Sequence, residues 1–145
     1  MRTTTYRGFT LIELMIVVAV IGVLAAIAIP NFIALERRAG EAQVKANMHT
    51  LQLVMEDFSV QNNGFYATTA ASTTTDGRTL AQTCPNGNYP VNPFTKLPST
   101  VKWNANPAVG SPGELAFNPA LPASYMLKGN GPLGDSLTLV LTTGQ

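Results

Sequence analysis

The sequence predicts an α+β protein in which one long N-terminal helix packs on a small C-terminal antiparallel sheet. Three observations predict it. An apolar N-terminal run passes into a stripe at helical spacing, Val44, Met48, Leu51, Met55 and Phe58. Near the other end Leu137, Leu139 and Leu141 alternate with Thr138, Val140 and Thr142, the period of a strand. Between them, eight of the ten prolines fall from Cys84 to Pro122 and forbid a second long helix.

The 145 residues allow one domain with an anchor or a tail, not two enzyme-sized domains. Nine basic and eight acidic residues make only 12 % of the chain, against about 25 % in ordinary soluble proteins. The net charge of +1 supplies no basic face, so no specific nucleic-acid site is evident. Cys84 is the single cysteine and closes no intrachain disulfide, and His49 is the single histidine, with no neighbouring carboxylates to build a metal cage.

The helix begins with an uncharged run, Leu14 to Ile29, which Phe9 to Leu11 extend across Glu13. Phe9 to Pro30, 22 residues, gives about 33 Å of helix, enough for a bilayer core of about 30 Å. Ahead of it MRTTTYRG carries Arg2 and Arg7 and no acid, which keeps this end in the cytoplasm and places the rest outside. Arg37 and Arg38 weaken that asymmetry.

A conventional secretory signal explains the basic start and apolar core, with Ala26-Ile27-Ala28 as the cleavage site and a mature terminus near Ile29. That reading yields a secreted or membrane-anchored binding module. Glu13 speaks against it, because a mid-bilayer carboxylate costs roughly 2.5–3.5 kcal/mol and a disposable signal has no use for one. Cutting between Gly8 and Phe9 would create an ammonium at about the depth of Glu13. Neighbouring copies offset along the axis relieve both charges better than one helix does, so the pair Phe9 and Glu13 predicts assembly.

Gly8-Phe9-Thr10-Leu11-Ile12-Glu13, after a short basic leader and before an apolar helix with Gly22 and Pro30, resembles the type III signal of type IV pilins and of type II secretion pseudopilins. The match runs from Arg7 to about Phe32. The resemblance implies a pilin-like fold, removal of residues 1–8 by a membrane prepilin peptidase, N-methylation of Phe9, and neutralisation of a neighbour's terminus by Glu13. Losing Arg2 and Arg7 shifts the formal charge from +1 to −1. Further implied partners are copies of the chain itself, an inner-membrane assembly platform, and the lipid bilayer before assembly. The precursor sits in the inner membrane with its head outside the cytoplasm. The assembled filament stands at the cell surface, or in the periplasm for a pseudopilin.

The remaining elements follow in order. Pro30 removes a backbone donor, so the helix is expected to kink or loosen there, helped by Gly22. The related filaments often lose helicity between such positions. Residues 9–30 are thus the transmembrane and polymerisation half, and 31–62 the amphipathic half, with Glu41, Lys45, Gln52 and Glu56 off its core stripe. Leu35, Val54 and Val60 also lie off the stripe and leave apolar surface for neighbouring subunits. Gln61-Asn62-Asn63-Gly64 stops the helix, a rod of about 80 Å from Phe9. That is too long for a head of residues 63–145 to bury.

In the head, 67–77 reads as a solvent-facing hydroxyl-rich loop suited to O-linked sugar. Strands are expected at Val101–Trp103, Leu115–Phe117, Ser124–Lys128 and Leu137–Thr142, the last two a hairpin around the glycine-rich loop 129–135. They should lie on the Met48/Leu51/Met55 face of the helix. The loop has no P-loop lysine, and no cofactor is expected. Asp135 is a calcium candidate, as in some similar pseudopilins, although calcium wants six to eight oxygens. Tyr89 to Phe94 also resembles a segment of such heads and reads as a rigid loop covering the sheet. Many related pilins close a C-terminal loop with two cysteines; here Cys84 reads as a buried small hydrophobe.

The expected function is a structural subunit, a major pilin polymerising into a surface filament for adhesion, motility or DNA uptake. The alternative is the major pseudopilin of a type II secretion system. The threonine-rich loop and lack of a strong aspartate cluster favour the first; the small size, the disulfide-free head and the calcium candidate loop favour a pseudopilin or a short pilin. An enzyme is the weakest reading, since His49 has no acid four residues away to form a catalytic constellation with Cys84 or a serine. Packing explains the eleven aromatic residues without invoking a conductive fibre.

Overall fold

The computed structural model describes residues 8–103, 110–121 and 124–143. The leader arginines Arg2 and Arg7 lie outside them. Helix α1 runs Leu11–Gln61, and the chain divides into two compact units between Glu36 and Arg37.

In the first unit the helix is apolar on every side and exposed on every side. Its most apolar 18-residue window has a mean hydropathy of 2.9 with none of it buried, long and apolar enough to cross a membrane. A helix apolar all round needs lipid or other protein around it, since water does not tolerate so large a patch. The helix continues through Gly22 and Pro30 without interruption. Pro30 brings no N–H to the ladder, and beside it Asn31 Nδ2 donates to the Ile27 carbonyl at 3.1 Å, binding this turn through a side chain.

The second unit is the head. Val44, Met48, Leu51, Met55 and Phe58 are buried, as their spacing requires. The buried face is wider than that stripe: it takes in Val54, 7 % exposed, and Gln52, while Leu53 is 71 % exposed. This corrects the expectation for Val54 and Gln52. Val54 sits one turn from both Leu51 and Phe58 and is drawn under the head with them, leaving Leu53 and Val60 outside. The helix ends where expected. Asn63 and Gly64 both take positive φ, and the Gly64 N–H donates back to the Ser59 carbonyl at 2.9 Å.

Loop 67–77 is tied down more than its composition suggests. Ala67 and Thr74 are buried, and Thr75 Oγ1 donates to the otherwise orphaned Gln61 carbonyl at 2.6 Å. After the short helix α2 (Leu80–Thr83) and a 3₁₀ turn at Pro85–Gly87, the Tyr89–Phe94 segment folds into a hairpin-like loop with Val91 bridged to Pro98. It covers the helix: Asn47 Nδ2 donates to the Val91 carbonyl at 2.8 Å, and the Phe94 ring lies directly over Gly40. Buried Asn92 Nδ2 fixes its far side to the Pro112 carbonyl at 2.8 Å.

Four strands follow, β1 (Val101–Trp103), β2 (Leu115–Leu121), β3 (Ser124–Asn130) and β4 (Ser136–Thr142), in spatial order β1-β2-β3-β4. The pairs β2–β3 and β3–β4 are antiparallel, and the expected C-terminal hairpin is present. The sheet as a whole is mixed, because β1 pairs parallel with β2. That corrects the expectation of an all-antiparallel sheet. Parallel neighbours cannot be joined by a tight turn, and residues 104–109 between these two strands lie outside the described residues. Strand β2 also runs past Phe117 through Pro119. Its register with β3 shifts between Asn118 and Leu121, a bulge at the residue that cannot donate to the ladder.

Leu115, Phe117, Tyr125, Leu127, Leu137 and Leu141 present the sheet's inner face to Val44, Met48, Leu51 and Met55. Gly129 permits the closest approach, since a Cβ there would stand 2.7 Å from Val44 Cγ1 and 2.9 Å from Met48 Sδ. Four rings run in contact from the end of the helix across the sheet: Tyr66 edge-on to Tyr125, Tyr125 stacked on Phe117, and Phe117 edge-on to Trp103.

Candidate functional site

The sequence places its functional residues at the start of α1, where the structure describes residues from Gly8 onward. Gly8, Phe9 and Thr10 precede the helix and are exposed, Phe9 to 72 %. Among the described residues a Cβ on Gly8 would meet nothing within 4 Å.

Thr10 and Glu13 form a reciprocal cap. The Thr10 hydroxyl donates to Glu13 Oε2 at 2.7 Å and the Thr10 N–H to the same oxygen at 2.9 Å, while the Glu13 N–H donates to Thr10 Oγ1 at 3.3 Å. This is the capping box of a helix start, satisfying donors that have no partner within the helix. The carboxylate also lies at the positive end of the helix dipole. Sequence reasoning saw Glu13 as a lone membrane charge and missed Thr10 as its partner. The signal was available in the spacing Thr-x-x-Glu ahead of an apolar run.

The arrangement leaves a definite chemistry. Glu13 Oε2 takes both Thr10 donors, while Oε1 has no intramolecular hydrogen bond among the described residues. Around it Leu11, Ile12, Leu14, Met15 and Ile16 are exposed, so the carboxylate is ringed by apolar surface. A cation brought to Oε1 by another molecule would meet an acceptor already oriented by its bonds to Thr10.

The other named residues stand apart. Gly22 has open space around its Cα and Pro30 lies inside the helix. Asp135 is exposed in the turn after β3, where the Gly131 N–H donates to the Asp135 carbonyl at 2.7 Å. Among the described residues no three His, Cys, Asp or Glu side chains converge, so the oxygen donors here are one carboxylate and backbone carbonyls. Buried Glu114 is the counter-ion of Lys102, at 3.0 Å. His49 Nδ1 lies 3.3 Å from Gln52 Oε1, and buried Cys84 directs its thiol to the Leu80 carbonyl at 3.4 Å, so the two are not partners. Burial pushes that thiol up to about 11, where it is a poor nucleophile at neutral pH.

Comparison with known proteins bears on the same end of the chain. Residues 4–29 match the family model of the prokaryotic N-terminal methylation motif. The chain is 58 % identical over 52 residues to the type IV major pilin protein PilA of Myxococcus xanthus, covering 36 % of this chain and 24 % of that protein. It is 42 % identical over 65 residues to the type IV wide pilus major component PilA4 of Thermus thermophilus, covering 45 % of this chain and 50 % of that one. The chain thus spans between a quarter and a half of the length of these two relatives. With the type II secretion system core protein G of Escherichia coli it shares 26 % identity over 135 residues, 92 % of this chain and 86 % of that protein. No solved structure matches.

Proposed function

We propose that the chain is a member of the type IV pilin and type II secretion pseudopilin family and, within it, a major pilin, the repeating subunit of a surface filament. The observation that carries the reading is the exposed apolar helix opening on a capped carboxylate with one free oxygen, within the methylation motif. Cleavage after Gly8 frees the Phe9 amine, which is methylated. Glu13 Oε1 of one copy receives that ammonium from the next. Each copy thereby neutralises a charge that is costly in an apolar environment, and the apolar helices bury one another as they leave the lipid.

The precursor is held in the inner membrane with the head outside the cytoplasm, the Arg2 and Arg7 leader being removed there by a prepilin peptidase and an assembly platform extracting the subunit. Gly22 and Pro30 are the positions where the helix yields during extension. The exposed Leu53 and Val60 give the head's own helix segment apolar surface available to neighbouring heads. The role is structural, with packing rather than chemistry as its output.

A second reading is a major pseudopilin, favoured by the similarity to the Escherichia coli core protein G along most of both chains. Electron microscopy of material sheared from cells separates the two, since a secretion pseudopilin at native levels leaves no long fibres. The mass of the mature N-terminus tests the proposal at its root. A methylated Phe9 is the expected result; a terminus at Ile29 would replace the filament reading with that of a module released by a conventional signal.

A further inference from the structure

We propose that the head carries a binding groove for neutral carbohydrate, between α1 and the loop of residues 85–98. The groove has a volume of about 490 Å³, within the range of small-ligand sites. It lies wholly within the head, so the inference stands independently of filament formation.

Amide side chains dominate its polar lining. Gln43 and Asn47 come from the helix, one turn apart, and Asn86 and Asn88 face them from the loop. Gln43 Nε2 donates to Asn47 Oδ1 at 3.0 Å, and Asn47 Nδ2 is held by the Val91 carbonyl at 2.8 Å. Those bonds orient the helix amides and leave Gln43 Oε1 without an intramolecular hydrogen bond among the described residues. The side chains of Asn86 and Asn88 also make none there, and both residues are exposed. Asn86 is fixed at φ 65° by a turn in which the Gly87 N–H donates to the Cys84 carbonyl at 2.9 Å. The remaining lining is Thr50, whose hydroxyl donates to the Ala46 carbonyl at 3.1 Å, and largely apolar surface from Val91, the half-buried Tyr89, and three prolines that stiffen the loop.

No lining residue is charged. Phosphates, acidic sugars and cations would therefore be desolvated there without a counter-charge. A neutral sugar suits the groove on both counts. Each hydroxyl is donor and acceptor, as each amide is, and the C–H faces of the ring match proline and tyrosine surface. An extended peptide suits it less, because it binds by adding to a free strand edge. Here the Val91 carbonyl is already taken by Asn47, and Val91 is already bridged to Pro98.

The test is saturation-transfer NMR on the full chain in a zwitterionic detergent, which avoids sugar headgroups. The probes are chitotriose, maltotriose and N-acetyllactosamine at up to about 10 mM, with sialyllactose and a neutral alanine-serine peptide as contrasts. At least one neutral sugar should receive saturation. The double variant Asn86→Gly, Asn88→Ala should weaken it by about tenfold or more while its melting temperature is unchanged. Glycine accepts the positive φ at residue 86, so the loop keeps its shape. Saturation of no neutral sugar, preference for sialyllactose or for the peptide, or undiminished binding by the double variant would each overturn the proposal.

Discussion

The Tyr125 hydroxyl donates to Glu56 Oε1 at 2.8 Å, joining β3 to the helix across 69 residues of sequence. Tyr66 donates to the other oxygen, Oε2, at 2.9 Å, so the carboxylate holds two ring hydroxyls from two parts of the head. Replacing Glu56 with glutamine keeps the shape but loses the charge that strengthens both bonds, and one amide nitrogen then faces a hydroxyl as a donor. The head should lose about 1.5–3 kcal/mol, read from chemical denaturation of Glu56→Gln beside the parent chain. An unchanged midpoint would mean that the two bonds are replaced by water at no cost.

Alkaline pH probes the same region. Desolvation, followed by the Glu56 hydrogen bond and charge, raises the pKa of Tyr66 and Tyr125 above the ordinary 10.0, and burial raises Cys84 from 9.0 to about 11. A group whose folded value lies above its unfolded one holds its proton more tightly in the folded state. Its contribution is complete below the unfolded pKa and is lost as the pH rises through the folded one. Melting temperature should therefore decline from about pH 9 upward, first through Cys84 and then through the tyrosines. Cys84→Ala should remove the earlier part of the decline and Tyr125→Phe the later part. A flat profile to pH 11 would contradict the burial of Cys84 and Tyr125.

Gly40 and Phe94 are packed without room for a methyl group. A Cβ on Gly40 would stand 2.5 Å from Phe94 Cε1 and 2.7 Å from Cζ. Gly40→Ala should cost about 1–3 kcal/mol by pushing the ring and its loop off the helix. Adding Phe94→Leu should recover part of that loss, so the double-mutant cycle should show coupling. Simple additivity would place the strain elsewhere.

Lys102 and Glu114 form a half-buried ion pair at 3.0 Å, the acid enclosed and the lysine side chain about half exposed. Glu114 Oε2 also accepts the Ser111 N–H at 3.0 Å, which fixes the entry to β2. Lys102→Met should leave that carboxylate enclosed with one partner fewer and lower stability, by less than the 3–5 kcal/mol of a fully buried pair. Glu114→Gln in the same chain should restore most of the loss. A double variant no better than the single would show that the lysine contributes through its stem alone.

Much of this was legible because it depends on local pattern. Leu137 and Leu141 announced β4 by alternation, and Asn63 and Gly64 announced the end of α1 by their tolerance of positive φ. The parallel pairing of Val101 with Leu115 was not legible, because the direction in which two strands pair is a long-range relation that no local period records. Val54 and Gln52 were placed off the core because their burial is set by how far the sheet wraps the helix, which a stripe of five residues underestimates. The extension of β2 through Pro119 was hidden by a sound rule, since the bulge there removes the need for the donor that proline lacks. At the helix start the carboxylate was found and its partner was not: Thr10 is ordinary in composition and acquires meaning only as one half of a capping box.

That partnership separates two requirements for filament formation. Gly8 should matter for processing alone: a bulky residue there leaves an unprocessed precursor in the membrane fraction, detected by mass. Glu13→Ala keeps the cleavage segment and removes the acceptor, so it should yield cleaved subunits without fibres in electron micrographs. Thr10→Val is the informative intermediate. It deletes the 2.7 Å hydroxyl bond but leaves the backbone donor of Thr10 on Glu13 Oε2 at 2.9 Å, so the carboxylate remains, less firmly oriented. Loss of a threonine cap costs about 1 kcal/mol, a factor of about five in the population of the aligned conformer. Fibre yield from Thr10→Val should accordingly fall between that of the parent and that of Glu13→Ala, with cleavage intact. A Thr10→Val chain that assembles as well as the parent would show that the neighbour's ammonium orients Glu13 by itself, and Glu13→Ala fibres of normal length would remove the charge pairing altogether.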